Sequence, residues 1–341
     1  MLYDVSKLAR AVALGLSLAV SAGSAGAQDL TISVYGGGYG ELWKKLAVDP
    51  YVAETGQKVV VDMGPATQRL TKLLTTRGGG VDLMILTDHM IYIAKERGVL
   101  EPVNPANIPN IANLLDIAKD PMGGGLCPAI TILGVGLAYN RNLIKEPPKT
   151  WDILTRSDLP APQAFMDMAF SMAPSMLVKL SELRGGGPNN VEPGLKLMAD
   201  LKNRAKFFKL FEVLDWINRG EVSVAPMLNT FVKEDPNVPL AFTWPEKAIG
   251  AVNLACVVKG SKNKAAAEKF INYYLQEKVQ VAMAKAFGET PVLKQVTLPN
   301  DIPFKVLTPA MISTMTFYDP NVIGANRPKW TERFEEMIVA R

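Results

Sequence analysis

Histidine is nearly absent from this chain of 341 residues, and its scarcity excludes several kinds of chemistry. His89 is the single histidine. The sequence therefore argues against a histidine general base and against a zinc site built on two histidines. It also contains no Gly-x-Ser-x-Gly motif and no Cys-x-x-Cys motif. These absences favour a binding protein over an enzyme, and we expect no catalytic residue, no cofactor and no resident metal.

The sequence also lacks a large excess of one charge, and it lacks long apolar runs. The chain carries 37 Lys and Arg residues against 33 Asp and Glu residues, a formal net charge of +4. This balance provides neither a basic patch for nucleic acid nor an acidic tail, so we expect no nucleic-acid partner. After residue 27, no apolar stretch is long enough to cross a bilayer.

The first 27 residues have the order of a secretory signal peptide. Lys7 and Arg10 precede an apolar run over 11–20, and the small residues Ala25-Gly26-Ala27 follow it. The run is too short to span a membrane, and no cysteine stands at the cut to carry a lipid. We predict cleavage just before Gln28 and export to the periplasm. Removing 27 of the 341 residues leaves 314, which suggests about two domains.

Cysteine is also rare. The mature chain contains Cys127 and Cys256 and no other cysteine. In an oxidising compartment such an isolated pair can form a disulfide. Two buried thiols are the alternative, and the spacing of the two residues favours neither interpretation.

Strands and helices alternate in the first part of the mature chain. Strands are predicted at 30–35, 58–62 and 81–86, and helices at 41–48, 68–76 and 90–97. This alternation predicts a parallel sheet with helices on both of its faces.

A long helical block separates two strand-rich stretches in the rest of the chain. Residues 127–139 and 252–258 are rich in β-formers, whereas 151–251 is more helical. Further helices are predicted at 264–275, 278–286 and 328–340. The block has the position of an inserted domain, so we expect the chain to leave the first domain and later return to it.

Two polar loops are predicted at one edge of the sheet. Gly36 to Gly40 separates a strand from a helix, where glycines allow a ligand to approach the backbone and free amides attract an anion. Thr87-Asp88-His89 follows the third strand. Ligands of open parallel sheets bind beyond the carboxyl ends of the strands, so the two loops together predict a site. The alternatives are a plain tight turn for the glycines and a helix cap for Asp88.

Five segments carry longer patterns. The most specific is Gly136-Leu137-Ala138-Tyr139-Asn140 followed by the Pro-Lys-Thr-Trp-Asp-Ile-Leu of 148–154. The others are Pro50–Val59, Val81–His89, Trp244–Lys264 and Ala265–Gln280. In order and spacing they resemble the periplasmic solute-binding proteins of ABC importers, in the branch that includes the spermidine/putrescine binders. The resemblance covers most of the mature chain.

This resemblance implies a fold and a set of boundaries. The fold is α/β with two lobes, the type II-like periplasmic-binding-protein fold, in which each lobe is a mainly parallel sheet flanked by helices. Crossing strands form a hinge, and the lobes close on the ligand. The expected lobes are 28–135 plus 254–290 and 136–253 plus 291–341. The resemblance also sets Cys127 and Cys256 on adjacent hinge strands, which favours a disulfide.

The resemblance carries the ligand positions onto this chain with several losses. A Trp-x-Asp of the polyamine binders becomes Ala251-Val252-Asn253, one acid of a pair becomes Ser171, and a tyrosine becomes Glu289. The adjacent tyrosines of the iron-binding branch are absent from the segment around Asn229. The candidate ligand-binding residues are Gly37, Gly38, Tyr39, Thr87, Asp88, His89, Asp167, Asn229, Asn253 and Glu289.

Fewer acids and a glycine-rich loop suggest a ligand with its own negative group. We predict a small amino or carboxylic acid, with its carboxylate at Gly37-Gly38-Tyr39 and any ammonium near Asp88, Asp167 or Glu289. The protein would be a monomer that performs no chemistry and delivers its ligand to an ABC permease. The alternatives are a polyamine binder, an exported enzyme on a two-lobe fold and a receptor that serves chemotaxis.

Overall fold

The computed structural model of the protein describes residues 29–340, so the predicted signal peptide and its cleavage site lie outside the described residues. The first elements are β1 (Leu30–Tyr35), α1 (Gly37–Trp43), a π-helical turn (Lys44–Val48), α2 (Asp49–Thr55), β2 (Val59–Gly64), α3 (Ala66–Thr75), β3 (Leu83–Thr87) and α4 (Asp88–Glu96). Strands β1, β2 and β3 pair in parallel with β1 in the middle, as the alternating pattern predicts. Their carboxyl ends therefore lie at one edge of the sheet.

The remaining elements contain the helical block and the returning segments. They are α5 (Asp116–Lys119), β4 (Ala129–Asn140), β5 (Ala164–Met166), α6 (Ala173–Glu182), α7 (Glu192–Leu201), β6 (Lys206–Phe208), α8 (Glu212–Asn218), β7 (Val224–Leu228), β8 (Leu240–Thr243), β9 (Ile249–Val257), α9 (Lys264–Tyr274), α10 (Glu277–Phe287), α11 (Pro309–Thr314), β10 (Thr316–Phe317) and α12 (Pro320–Phe334). Short 3₁₀ turns lie at Pro105–Asn107, Pro109–Asn113, Trp151–Thr155 and Asn229–Phe231, and a π-helical turn at Glu335–Val339 ends the described chain.

The C-terminal helix is longer than its sequence pattern predicts. The amphipathic pattern predicts a helix that begins at Pro328. In the structure α12 begins at Pro320 and continues through Pro328. Asp319 provides the start, since its carboxylate accepts the Asn321 N–H at 2.8 Å.

Two long strands cross the middle of the molecule, and every residue of both is buried. β4 and β9 pair antiparallel, and the sheet order is β2-β1-β3-β9-β4-β7, with β10 beside β9 and β8 beside β4. The crossing strands thus make a mixed sheet, while β1–β3 and the β5–β6 pair are parallel. At the crossing, a Cβ on Gly134 would lie 2.5 Å from Cη2 of Trp244, so only glycine lets that indole ring lie on β4.

Buried hydrophobic side chains form two clusters, one at each end of the crossing strands. The first cluster draws on 30–132, 252–258 and 267–312, and the second on 133–251 and 323–334. Both crossing strands therefore change cluster part-way along their length, which is how a hinge strand would serve two lobes. The predicted lobe limits on these strands, 135/136 and 253/254, lie close to the change and stay a prediction.

The segment 291–341, which was expected in the second lobe, is divided between the clusters. Val292 and Leu307 pack in the first cluster, whereas Trp330 and Phe334 pack in the second. We propose that the first lobe extends to about residue 312, because its side chains are buried there. Helix α12 then returns to the second lobe.

Cys127 and Cys256 form a disulfide with an S–S distance of 2.08 Å, the pairing that the family resemblance implied. Both residues are buried in the first cluster. The bond joins the segment that enters β4 to the end of β9 across a sequence separation of 129 residues. It therefore closes a long loop of the unfolded chain.

Candidate ligand-binding site

Three loops meet beyond the carboxyl ends of β1, β2 and β3. Gly36 follows β1, Gly64 ends β2, and Thr87 ends β3. The first two loops touch, because a Cβ on Gly36 would lie 3.1 Å from the backbone nitrogen of Gly64. Open parallel sheets bind their ligands at this edge, which makes it the candidate site.

Tyr35 connects the loops, although the sequence analysis did not select it. Its hydroxyl accepts the Thr87 N–H at 3.1 Å and donates to Oδ1 of Asn253 at 3.1 Å. Thr87 and Asn253 are themselves register partners in the antiparallel β3–β9 pair. Two predicted site residues are thus brought together, and the tyrosine holds them in place.

Arg69 is a second residue that the sequence analysis missed. It lies on α3 with 3% of its surface exposed, and its guanidinium carbon is 4.7 Å from the centre of the Tyr35 ring. Nε donates to the Gly64 carbonyl and Nη1 to the Ile85 carbonyl, both at 3.0 Å. Nη2 has no hydrogen-bond partner within residues 29–340.

The positive charge of Arg69 is not matched by an acid of its own. Asp62 acts on it from a distance, but that carboxylate pairs with Lys72 at 2.7 Å and accepts from Ser33. Burial lowers the pKa of Arg69 from its ordinary value, which is far enough above neutral for the group to remain charged. The sequence did contain a signal that Arg69 faces the interior. Arg69 lies beside Leu70 and four residues before Leu73 on α3, and both leucines are buried.

The glycine loop is the first turn of a helix rather than an open loop. Helix α1 begins at Gly37, and Gly38 and Tyr39 lie within it, because Gly36 in an extended conformation serves as the N-cap. Gly37 and Gly38 are exposed. The helix has seven residues, so its dipole is short.

Tyr39 and Glu289 form the tightest polar contact of the site, although 250 residues separate them. The Tyr39 hydroxyl donates to Oε1 of Glu289 at 2.6 Å. The Tyr39 ring also packs against Phe287, with ring centres 4.5 Å apart. Glu289 is 3% exposed, and Oε2 has no hydrogen-bond partner within the part of the chain that the structure describes.

Burial sets the protonation of this carboxyl group. It raises the pKa of Glu289 to about 7, against the opposing effect of the hydrogen bond that the Tyr39 hydroxyl donates. The pKa of Tyr39 is in turn raised well above its usual value by burial and by the neighbouring Glu289. The pair therefore changes charge near neutral pH through its carboxyl group, while the phenol stays protonated.

Replacing Glu289 with glutamine should reduce the pH dependence of stability. Because the folded-state pKa is raised, the folded chain keeps a proton that the unfolded chain loses. The resulting stability is complete below pH 4.5 and is lost as pH rises to about 7. The difference corresponds to roughly 3 kcal/mol. Urea unfolding at pH 4.5, 6 and 8 measures it, and Glu289→Gln should lose less stability than the wild type on going to pH 8.

Glu41→Gln is the matched control for this change. Glu41 is an exposed carboxylate on α1, close in sequence to Tyr39. Its replacement should leave the wild-type pH profile in place. A Glu289→Gln variant with the same pH profile as the wild type would contradict the assignment of this buried carboxyl group.

Asp88 and His89 begin helix α4, and their contacts are largely local. Oδ1 of Asp88 accepts the His89 N–H at 2.7 Å and lies 3.2 Å from Nδ1 of the same residue. Asp88 thus satisfies a free amide of the first turn, although Thr87 and not Asp88 is the N-cap residue of α4. His89 is buried near α12, where a Cβ on Gly324 would lie 3.1 Å from the His89 carbonyl.

The remaining two candidates lie in the helical block over 151–251. Asp167 follows β5, and its Oδ1 accepts the Ala169 N–H at 2.8 Å. Asn229 is fully buried, and its side-chain amide makes three hydrogen bonds with backbone groups. It accepts from the Gly134 N–H at 3.2 Å and donates to the carbonyls of Gly288 at 2.8 Å and Lys305 at 3.1 Å. These bonds give Asn229 a role in joining segments, and its role in ligand binding stays a prediction.

Within residues 29–340, no helix is both long and apolar enough to cross a membrane. In the same range, no group of three or more His, Cys, Asp or Glu side chains is arranged to hold a metal ion.

The family model of the bacterial extracellular solute-binding proteins matches residues 81–314, which is more than half of the chain. This chain belongs to that family. The solute-binding class predicted from the sequence patterns is therefore confirmed. The matched region contains both crossing strands and the seven candidate residues that lie outside the first loop.

Known relatives agree with this assignment. The solute-binding protein is 22% identical over 313 residues to the spermidine/putrescine-binding periplasmic protein of Escherichia coli strain K12, covering 86% of this chain and 88% of the relative. It is 23% identical over 291 residues to a γ-aminobutyric acid-binding protein of Pseudomonas aeruginosa, covering 82% of this chain and 81% of the relative.

A solved structure confirms the predicted fold. An ABC transporter protein from Clostridium perfringens superimposes on the solute-binding protein with a TM-score of 0.79 at 24% identity, covering 91% of this chain and all of that chain. The pattern-based prediction of an α/β periplasmic-binding-protein fold is therefore correct.

Proposed function

We propose that this solute-binding protein is the periplasmic component of an ABC transporter and that it captures a small amino acid or other carboxylate-bearing metabolite. The ligand would lie between the two lobes, beyond the carboxyl ends of β1–β3, and would be delivered to an inner-membrane permease. Export would follow from the signal peptide predicted over residues 1–27. No step of this function changes the ligand chemically.

The buried charge of Arg69 is the observation that carries the proposed ligand class. A guanidinium without an acid of its own makes the surrounding edge electropositive, and the low dielectric of the interior strengthens its field. A carboxylate is favoured close to Arg69, whereas an ammonium group at that position is repelled. A polyamine, with two or more positive charges, fits this charge less well than an amino acid does.

Carboxyl groups elsewhere supply partners for the amino end of such a ligand. Asp88 is partly exposed at the start of α4, Asp167 follows β5, and Glu289 loses its proton near neutral pH. A ligand with one carboxylate and one ammonium group would use both kinds of charge. The relative from Pseudomonas aeruginosa is named for such a compound.

A polyamine remains the second candidate, because four of the curated relatives that match this chain are spermidine/putrescine-binding proteins. The family resemblance implies that Asp88 and Asp167 correspond to positions at which that branch binds ammonium groups. The two candidates differ in the sign of the charge that Arg69 would meet, so one binding experiment separates them.

The test is a thermal-shift screen of residues 28–341 against amino acids, ω-amino acids, small carboxylates and polyamines, followed by calorimetry on each hit. A ligand at 100 times its dissociation constant adds about 2.7 kcal/mol of stability. We expect hits among carboxylate-bearing compounds, and mass spectrometry should recover them unchanged. Hits confined to putrescine and spermidine would replace the proposed ligand class with the polyamine alternative, and turnover of a hit would favour an enzyme.

A further inference from the structure

A buried carboxyl group and a buried guanidinium lie behind two tyrosines at the edge formed by β1–β3. Tyr35 and Tyr39 are partly exposed there, and their rings meet edge to face with centres 5.9 Å apart. The guanidinium carbon of Arg69 is 4.7 Å from the centre of the Tyr35 ring, whereas the Tyr39 hydroxyl donates to Oε1 of Glu289. The edge therefore has a fixed positive charge behind one tyrosine and a group that can gain or lose a proton behind the other.

The Glu289 carboxyl group has one hydrogen bond and no counter-ion. Oε1 accepts from Tyr39 at 2.6 Å, and Oε2 has no partner among residues 29–340. No lysine, arginine or histidine of the described chain forms an ion pair with this carboxyl group. A carboxylate that is 3% exposed loses most of its hydration, so the neutral form that keeps its proton is favoured.

The groups packed around Glu289 keep their charge states while this carboxyl group titrates. The titratable or charged groups are Tyr39 on α1, Tyr35 on β1, Tyr274 on α9 and Arg69 on α3, and the uncharged neighbours are Phe287 at the end of α10 and Thr131 on β4. Burial raises the pKa of each of the three phenols, so they stay protonated, and the guanidinium stays charged. Glu289, whose pKa burial raises to about 7, is thus the member of the cluster whose charge can respond to a bound solute.

We propose that a solute bound at this edge displaces the proton of Glu289 with its amino group, so that capture of an amine or amino acid releases one proton. The O–H bond of the carboxyl group breaks, the proton passes to the solvent, and the new carboxylate pairs with the ammonium group. A cation beside a carboxyl group favours its ionised form. The occupied cluster then carries the same net charge as the empty one, which avoids the cost of an unpaired buried ion.

Arg69 suits the other end of such a solute. Its charge lies behind Tyr35, next to the tyrosine that contacts Glu289, so the edge offers two opposite charges to a small zwitterion. A carboxylate without an amino group brings no cation that would displace the proton. This inference rests on the proposed solute-binding function and selects Glu289 from the three carboxyl groups considered for the amino end.

The experiment counts protons by calorimetry at pH 6.5 in phosphate and in Bis-Tris, two buffers that differ in ionisation enthalpy. It uses the tightest amine-bearing hit of the screen and the same acid without its amino group; for γ-aminobutyrate that acid is butyrate. The amine-bearing solute should release more than about half a proton, and butyrate should release none. Affinity for the amine-bearing solute should be about tenfold lower at pH 6 than at pH 8, since most Glu289 side chains must first lose a proton at the lower pH.

Three variants assign the proton to its group. Glu289→Gln has no proton to release, so its binding should exchange none and its affinity should not change between pH 6 and pH 8. Tyr39→Phe removes the hydrogen bond that stabilises the carboxylate, so the rise in affinity should move to higher pH. Glu41→Gln, which alters an exposed carboxylate on α1, is the matched control and should behave as the wild type.

The possible results separate this inference from the proposed function. Binding of an amine-bearing solute without proton release, or release that survives Glu289→Gln, overturns the inference. Hits confined to carboxylates without an amino group also overturn it, while the proposed function stands. A wild type that binds no solute refutes the proposed function itself. If Glu289→Gln does not fold, Tyr39→Phe decides, and an unshifted pH profile in that variant overturns the inference.

Discussion

Replacing Arg69 with glutamine should weaken the binding of carboxylate-bearing ligands by roughly five- to thirtyfold, about 1 to 2 kcal/mol. The cause is electrostatic, because the variant loses the buried positive charge below Tyr35. The glutamine side chain still has an amide group that can donate hydrogen bonds. Calorimetry with the best carboxylate ligand of the screen measures the loss. We describe Arg69 as a positioning residue, since its contacts are with residues of β1, β2 and β3.

A polyamine serves as the second ligand in this experiment and separates charge from structure. Loss of a positive charge should strengthen the binding of a dication such as putrescine, whereas simple damage to the loops should weaken both ligands. Arg69→Lys keeps the charge and should retain most of the carboxylate affinity, although it cannot reproduce the two bonds to the carbonyls of Gly64 and Ile85. Equal losses for both ligands would refute the electrostatic role.

Removing the disulfide should cause the largest loss of stability. The double variant Cys127→Ala/Cys256→Ala should lower the free energy of unfolding by about 2 to 5 kcal/mol, because the bond closes a long loop in the unfolded chain. Alanine is preferred to serine, since both positions are buried and a serine hydroxyl would need a partner there. Calorimetric unfolding of the oxidised protein and the variant gives the difference.

Reduction of the wild type provides the control for the disulfide. Unfolding in the presence of a strong thiol reductant should match the double variant, since each removes the same cross-link. The ligand affinity of the variant should stay near that of the wild type, because Cys127 and Cys256 lie among buried hydrophobic residues of the first cluster. An unchanged melting temperature would show that the loop is already restrained in the unfolded chain.

Local patterns predicted the parts of the fold that depend on neighbouring residues. The β-branched runs became β1 and β3, and the helical spacing of Leu70 and Leu73 became the buried face of α3. Proline and glycine signals were less reliable. Gly37 and Gly38 lie in a helix, and Pro328 lies inside one, because tertiary packing of α1 and α12 outweighs the weak preference of single residues.

The sequence predicted several residues of the candidate site but not the residues that connect its strand ends. The sequence placed Tyr39 and Glu289 in the same site through a family resemblance, and the structure joins them by a hydrogen bond. It did not reveal Tyr35 or Arg69, because an arginine in a helix normally faces solvent.

The sequence by itself determined that this is a solute-binding protein. The scarcity of histidine, the alternation of strands and helices, and the order of the motifs can all be read without a structure. Only the tertiary structure decided which side chains meet at the edges of the two sheet regions. Those meetings depend on strand order and register, which bring together residues as far apart as Tyr39 and Glu289. Burial then decided their charges, since the same carboxyl group titrates near 4.5 in water and near 7 in this interior.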